Sequence, residues 1–208
     1  RHTRLQGDWS SDVCSSDLAL SQYAKIDRGG VIGIKIKEDD SIVAVCLSQG
    51  LDDLLLVSKL GMSIRFSETD IRVNGRLSQG VAAMKLDDDD YVVGAITVPM
   101  MIDKQMDIVT AEQELSILTL TNQGYGKRTL VNEYLVEPSD GGKLRQQSRG
   151  GKGRIDIKHD KKTGHSVGAI AVNDSKDVVI ITKQGQMVRI SASSISVYGR
   201  NTRSEEHT

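Results

Sequence analysis

The sequence predicts an all-β chain, a partial β-propeller of about three four-stranded blades. Three observations carry this reading. A unit of roughly sixty residues recurs three times, each unit holds four short apolar runs separated by glycine-containing turns, and helical periodicity is nearly absent.

The ends are set aside first. Residues 1–18, RHTRLQGDWSSDVCSSDL, and the last six, RSEEHT, share no pattern with the middle. RSEEHT can be encoded by AGATCGGAAGAGCACACG, and the reverse complement of that string, read one frame over, encodes VCSSDL. Both ends therefore resemble translated sequencing-library adapter and carry no fold information. Trp9, Cys14, His2 and His207 fall with them. In the remaining span, 19–202, Cys46 is the single cysteine, so no internal disulfide can form and a reducing, cytoplasmic compartment is expected. The ends account for three Lys/Arg and five Asp/Glu, leaving 24 against 23, and near-neutral charge neither favours nor excludes nucleic acid. No apolar run approaches a membrane span. The span reads as an internal piece of a soluble protein.

The first repeated element is a hairpin. LLLVSKLGMSIRF, ILTLTNQGYGKRT and VVIITKQGQMVRI each pair an apolar run, Ser or Thr, two residues and a glycine with a second short run. Gly61, Gly124 and Gly185 supply the positive φ of a tight turn, and Arg65, Arg128 and Arg189 follow four places later. Upstream of each hairpin, RGGVIGIKI, SQGVAAMKL and GKGRIDIKH align on Gly30, Gly80 and Gly153. Alternation predicts that Ile32 and Ile34, Ala82 and Met84, and Ile155 and Ile157 face inward, with Lys35, Lys85 and Lys158 on the other face. A further strand then follows in each: SIVAVCLS, YVVGAITV and HSVGAIAV. The unit is thus Gly-rich loop, strand, turn, strand, connection and hairpin.

Blades are expected at 19–74, at 75–144 with insertions around PMMIDKQMDI and EYLVEPSDGG, and at 145–202 with the start of another, YGRNT. Residues 1–18 and 203–208 are the adapter-like ends. KQMDIVTAEQELSI is the best helical candidate.

The loop QQSRGGKGRIDI resembles a nucleotide cradle but lacks a glycine five places before its Gly-Lys pair and the Ser or Thr after the lysine. Its glycines expose N–H groups, and Arg149, Lys152 and Arg154 supply charge suited to phosphate. The acidic runs KEDD and DDDD fall at the turn between two strands, where they read as solvated turns that would keep DNA off that face. His159 and His165 have no Cys or His partner at metal-ligand spacing, and no catalytic triad or dyad suggests itself. Phe66 and the five tyrosines lack the repeat's period, which argues against a single-strand stacking platform.

TNQGYGKRTLVNEY, QSRGGKG and VYGRNT closely resemble the carboxy-terminal domain of the DNA gyrase A protein, over essentially all of 19–202. Gln147 to Gly153 looks like the family's box, QRRGGKG, with Ser148 in place of an arginine. It lies at a later blade than the strict box, as a degenerate copy would. The resemblance implies a six-bladed β-pinwheel that wraps double-stranded DNA within an ATP-dependent type IIA topoisomerase. The gyrase B protein would be the partner in an A2B2 enzyme near the nucleoid. The cleaving tyrosine, ATP and magnesium would act elsewhere, so no catalytic residue, metal or cofactor is expected here. Candidate DNA-contacting residues are Lys35, Arg65, Lys85, Lys127, Arg128, Gln147, Arg149, Gly150, Gly151, Lys152, Gly153, Lys158 and Arg189. A cation at one step of every blade would place charge at intervals along a curved edge. The corresponding carboxy-terminal domain of topoisomerase IV and a blade-built protein scaffold are the alternatives.

Overall fold

The structure is a computed structural model that describes residues 32, 34–72, 78–99 and 115–202. Expectations resting on Arg28, Gly29, Gly30, the insertion at 100–108 and both adapter-like ends lie outside the described residues. The same holds for most of the helical candidate; its last residues, Ser116 and Ile117, are in a strand.

Among the described residues all regular elements are strands and short 3₁₀ turns: β1 (Asp53–Ser58), β2 (Met62–Ser67), β3 (Val92–Val98), β4 (Ser116–Thr121), β5 (Gly126–Leu130), β6 (Arg154–Ile155), β7 (Ser166–Val172), β8 (Asp177–Ile181) and β9 (Met187–Ser191). The three hairpins form as expected: β1 pairs with β2, β4 with β5 and β8 with β9, all antiparallel. Their turns are the same turn three times. The N–H of Gly61 donates to the Ser58 carbonyl at 3.0 Å, that of Gly124 to Thr121 at 3.0 Å, and that of Gly185 to Thr182 at 2.9 Å. The glycines sit at φ +81°, +86° and +84°, the left-handed region where a Cβ is disfavoured. The Ser or Thr three places earlier has a role in two of them, since Ser58 Oγ and Thr182 Oγ1 accept from the N–H of Met62 and Gln186. A 3₁₀ turn closes each hairpin, at Glu68–Asp70, Val131–Tyr134 and Ala192–Ser194.

The sheets run β3-β1-β2-β6, β5-β4-β7 and β8-β9. A sheet is therefore not one repeat of the sequence. The hairpin β1–β2 takes its third strand, β3, from the following unit and its fourth, β6, from the one after. β4 likewise takes β7 from the following unit. Among the described residues, the first unit's counterpart of β3 and β7, residues 41–48, forms no ladder, and β8 has no third strand.

Alternation along the strands lets the sheets stack face to face. Leu55 and Val57 of β1, fully buried, meet Ile117, Val131 and Tyr134 together with Ile96 and Val98. One sheet further on, Leu118 and Val172 meet Val178, Ala192 and Ile195. Ile64, Phe66 and Met84 form the core on the other side of β1–β2. Of the residues expected to face inward, Met84 and Ile157 are buried, whereas Ile32, Ile34, Ala82 and Ile155 are exposed. The expected alternation fails because the segment hardly forms a strand: β6 spans two residues, with Ile155 exposed in it and Ile157 buried beyond it, and residues 34–36 and 82–84 are in no ladder. No helix among the described residues is long and apolar enough to cross a membrane.

Candidate nucleic-acid interface

The three hairpin arginines share a backbone position but not a surface. Arg65 is 1% exposed; its Nε donates to Asp53 Oδ2 at 2.8 Å and its Nη1 to the Val131 carbonyl at 3.0 Å. Arg128 is also buried, with Nη1 on Asp174 Oδ1 at 2.5 Å. Arg189 is exposed, yet its Nε donates to Asp177 Oδ2 at 2.7 Å. Asp53 and Asp177 each precede their arginine by twelve residues, which places them diagonally across the hairpin; Ser116 holds that place in the middle hairpin, so Arg128 turns to Asp174. The expectation that Arg65 and Arg128 line a DNA path is corrected here. A guanidinium that is buried and bonded to a carboxylate or a carbonyl carries no free charge to the rim.

Lys127 is corrected for the same reason. It is fully buried, and its ammonium donates to the carbonyls of Asp156 at 2.6 Å, Gly199 at 2.9 Å and Arg200. Burial lowers its pKa to about 8, against the opposing pull of the Asp156 charge. Asp156 is itself enclosed, accepting from Tyr134 Oη at 2.6 Å and Thr119 Oγ1 at 2.7 Å. Burial, then the Asp156 charge, push the Tyr134 hydroxyl well above its ordinary value. GYGKRT thus works as a joint between the second hairpin and the third unit.

The box-like loop is a joint too. Gln147 is locked to β2, its N–H donating to the Arg65 carbonyl at 2.8 Å and its Oε1 accepting from the Arg65 N–H at 3.3 Å. Arg149 donates to the carbonyls of Asp70 and Ala82, and the Gly150 N–H to Ala83. A Cβ on Gly153 would lie far inside contact distance of the Ser63 carbonyl. The loop therefore ties the first hairpin to residues 82–85, near the start of the second unit. Arg200 repeats the device one unit later, donating to the carbonyls of Glu133 and Ile155, the counterparts of Asp70 and Ala82. Only sequence equivalence could have found this role, because Arg149 and Arg200 stand at the same offset in their units. Of the loop, Ser148, Gly150, Gly151 and Lys152 remain exposed.

Lys35, Lys85 and Lys158 are all exposed, and their backbones are held identically. Their N–H groups donate to the carbonyls of Ser78, Gly151 and Thr202 at 3.0, 2.8 and 3.1 Å, and these three acceptors are one repeat position. The same step of the unit thus carries an outward ammonium three times. Lys152 joins them, 61% exposed and 3.1 Å from Asp87, which is equally exposed. The acidic runs do form turns, with Asp39 and Asp89 at φ +65° and +64°. The second of them abuts the box-like loop instead of occupying a remote face.

Comparison with known proteins places this geometry. A family model described as "DNA gyrase C-terminal domain, beta-propeller" matches residues 18–45, 52–99, 116–136, 140–173 and 176–204. Two of its breaks, 100–115 and 137–139, fall at the expected insertions. The DNA gyrase A protein of Haloquadratum walsbyi is 35% identical over 184 residues, 88% of this chain and 19% of the relative. That of Mycolicibacterium smegmatis is 36% identical over 186 residues, 88% of this chain and 19% of the relative. The chain thus spans about a fifth of the length of these relatives. A solved DNA gyrase A C-terminal domain superposes with a TM-score of 0.69 at 26% identity, covering 86% of this chain and 53% of that one. A topoisomerase IV C-terminal domain shares the fold, with a TM-score of 0.71 at 24% identity over 88% of this chain and 51% of that one. The chain, repeat by repeat, belongs to the family of DNA gyrase A C-terminal domains.

Proposed function

We propose that this chain binds double-stranded DNA along the edge that carries Lys35, Lys85 and Lys158, and bends it as a wrapping module of a gyrase A protein. The observation that carries the reading is the recurrence of one exposed ammonium on one equivalently bonded backbone step in three successive units. Regular cations on a curved edge suit phosphates and are indifferent to base sequence. Bending duplex over a small rim costs on the order of several kcal/mol, so several contacts must act together. Lys152 adds to the row: an exposed ion pair such as Lys152–Asp87 is worth only about 0–1 kcal/mol, and a phosphate can take the place of the carboxylate. Exposed Gly150 and Gly151 leave backbone within reach of the same phosphate.

Arg65, Arg128, Lys127, Gln147 and Arg149 serve this edge indirectly, by fixing the units that present it. In the whole enzyme the module would work beside the gyrase B protein in an A2B2 assembly at the bacterial nucleoid, with strand cleavage, ATP and magnesium handled elsewhere. The test is the salt dependence of binding to a random-sequence duplex. Lys35, Lys85 and Lys158 changed together to Ala should flatten the slope of log K against log salt by about 2.7, at about 0.9 per phosphate contact. A slope equal to that of the unaltered chain would overturn the assignment, and binding confined to one sequence would overturn the wrapping reading.

A further inference from the structure

The turn that follows the lysine row changes sign from unit to unit. Residues 37–40 read Lys-Glu-Asp-Asp and residues 87–90 are four aspartates, whereas the same place in the third unit, 160–163, reads Asp-Lys-Lys-Thr. A closed backbone turn holds each of them: the N–H of Asp40 donates to the Lys37 carbonyl at 3.2 Å, that of Asp90 to Asp87 at 3.2 Å, and that of Gly164 to Asp160 at 3.0 Å. We propose that Lys161 and Lys162 form a further phosphate contact on the DNA path, at the repeat position where the second unit repels it. Resting on the DNA-binding reading above, this contact gives the path a direction, because the duplex is gripped at the third unit and held off beside the second.

The third turn is built to keep its cations in place. Asp160 caps its own turn, its Oδ1 accepting from the N–H groups of Lys162 and Thr163 at 2.9 and 2.8 Å, while the buried Thr163 Oγ1 accepts from the Asp160 N–H at 3.0 Å. The turn is also clasped to the second hairpin. The His165 N–H donates to Asn122 Oδ1 and the Asn122 N–H to the His165 carbonyl, both at 2.9 Å. On this frame Lys161 and Lys162 are exposed, and Lys162 Nζ stands 5.3 Å from the centroid of the Tyr125 ring. An exposed cation–π contact is worth about 0.5–1 kcal/mol, enough to orient the ammonium without cancelling its charge. Less ordering entropy is then left to lose on binding.

The second turn is fixed in the same manner with the opposite charge. Asp90 Oδ1 accepts from the Leu60 N–H of the first hairpin at 2.9 Å, and the lysine–tyrosine contact recurs with its members exchanged, Lys59 Nζ lying 5.1 Å from the centroid of the Tyr91 ring. Asp87, Asp88 and Asp89 are exposed, and Asp87 draws Lys152 of the box-like loop to 3.1 Å. Lys158 precedes Lys161 by three residues, as Lys85 precedes Asp88, so each turn lies within about 10 Å of the row. That reach is comparable with the Debye length of about 10 Å at 0.1 M salt, so a phosphate on the row feels the turn's charge.

The test is the salt dependence of binding of the 208-residue chain to a random-sequence duplex. Lys161→Gln with Lys162→Gln, which keeps most of each stem, should flatten the slope of log K against log salt by about 1.8, at about 0.9 per phosphate contact. Asp88→Lys, which copies Lys161 into the second unit, should steepen the slope by about 0.9, a gain that misfolding cannot mimic. Lys176→Gln controls for charge alone: Lys176 is exposed beyond the far end of the seven-residue β7, roughly 20 Å away, and its loss should leave the slope in place. An unchanged slope in the double variant, an unchanged slope in Asp88→Lys, or an equal loss from Lys176→Gln would each overturn the proposal while leaving the response to the Lys35, Lys85 and Lys158 change intact. A chain whose duplex binding does not depend on salt would overturn the DNA-binding reading itself, and this contact with it.

Discussion

At the scale of single residues, the cations divide into those that hold the structure and those that face outward. Arg65 belongs to the first class. Changing it to Ala leaves Asp53 buried without its partner and should cost about 3–5 kcal/mol, read as a lowered urea midpoint. Lys85→Ala removes an exposed ammonium and should leave that midpoint in place. His159 gives the pH dependence. Burial lowers its pKa below the ordinary 6.5, outweighing the opposing charge of Asp156, so the folded state favours the neutral ring. The unfolded chain then binds the proton first as acid is added, and the stability contributed by neutral His159 is lost as pH falls from about 6.5 through the lower folded value. Unfolding at stepped pH should show a steeper acid-side decline in the natural chain than in His159→Gln. The position of each cation was legible in the sequence as a repeat; its burial was not, because the partners Val131 and Asp174 come from other units. The one clue within reach was the acid twelve residues before Arg65 and Arg189, across the same hairpin.

At the scale of elements, the hairpins could be read almost completely from sequence, since a glycine at positive φ and a Ser or Thr three places earlier are local chemistry. Strand partnership could not. YVVGAITV and HSVGAIAV announce themselves as strands, but nothing local says that each lies on the hairpin before it and not on the one after. The glycines themselves differ once their neighbours are known. Gly185→Ala meets open space and should cost about 1 kcal/mol for backbone strain alone. Gly61→Ala would also drive a Cβ into the Ile157 carbonyl and the His159 ring, adding roughly 1–3 kcal/mol. Chemical denaturation of the two variants side by side should rank them in that order, and equal losses would show that the Gly61 contact gives way freely.

At the scale of the whole molecule, fold class and family were both in the sequence, carried by a repeat that survives two insertions, each of about ten residues, in its middle copy. The recurring exposed lysines Lys35, Lys85 and Lys158 were there as well, although two of the three hairpin arginines, Arg65 and Arg128, turned out to be internal ties. The shift between repeat and sheet also bears on synthesis. When Ser67 leaves the ribosome, the first hairpin still lacks Val92–Val98 and must wait for Arg154–Ile155, which emerge only after the second hairpin is already made. The first sheet cannot finish before the second hairpin and the start of the third unit have been made, nor the second before Ser166–Val172 arrive, so these units mature together.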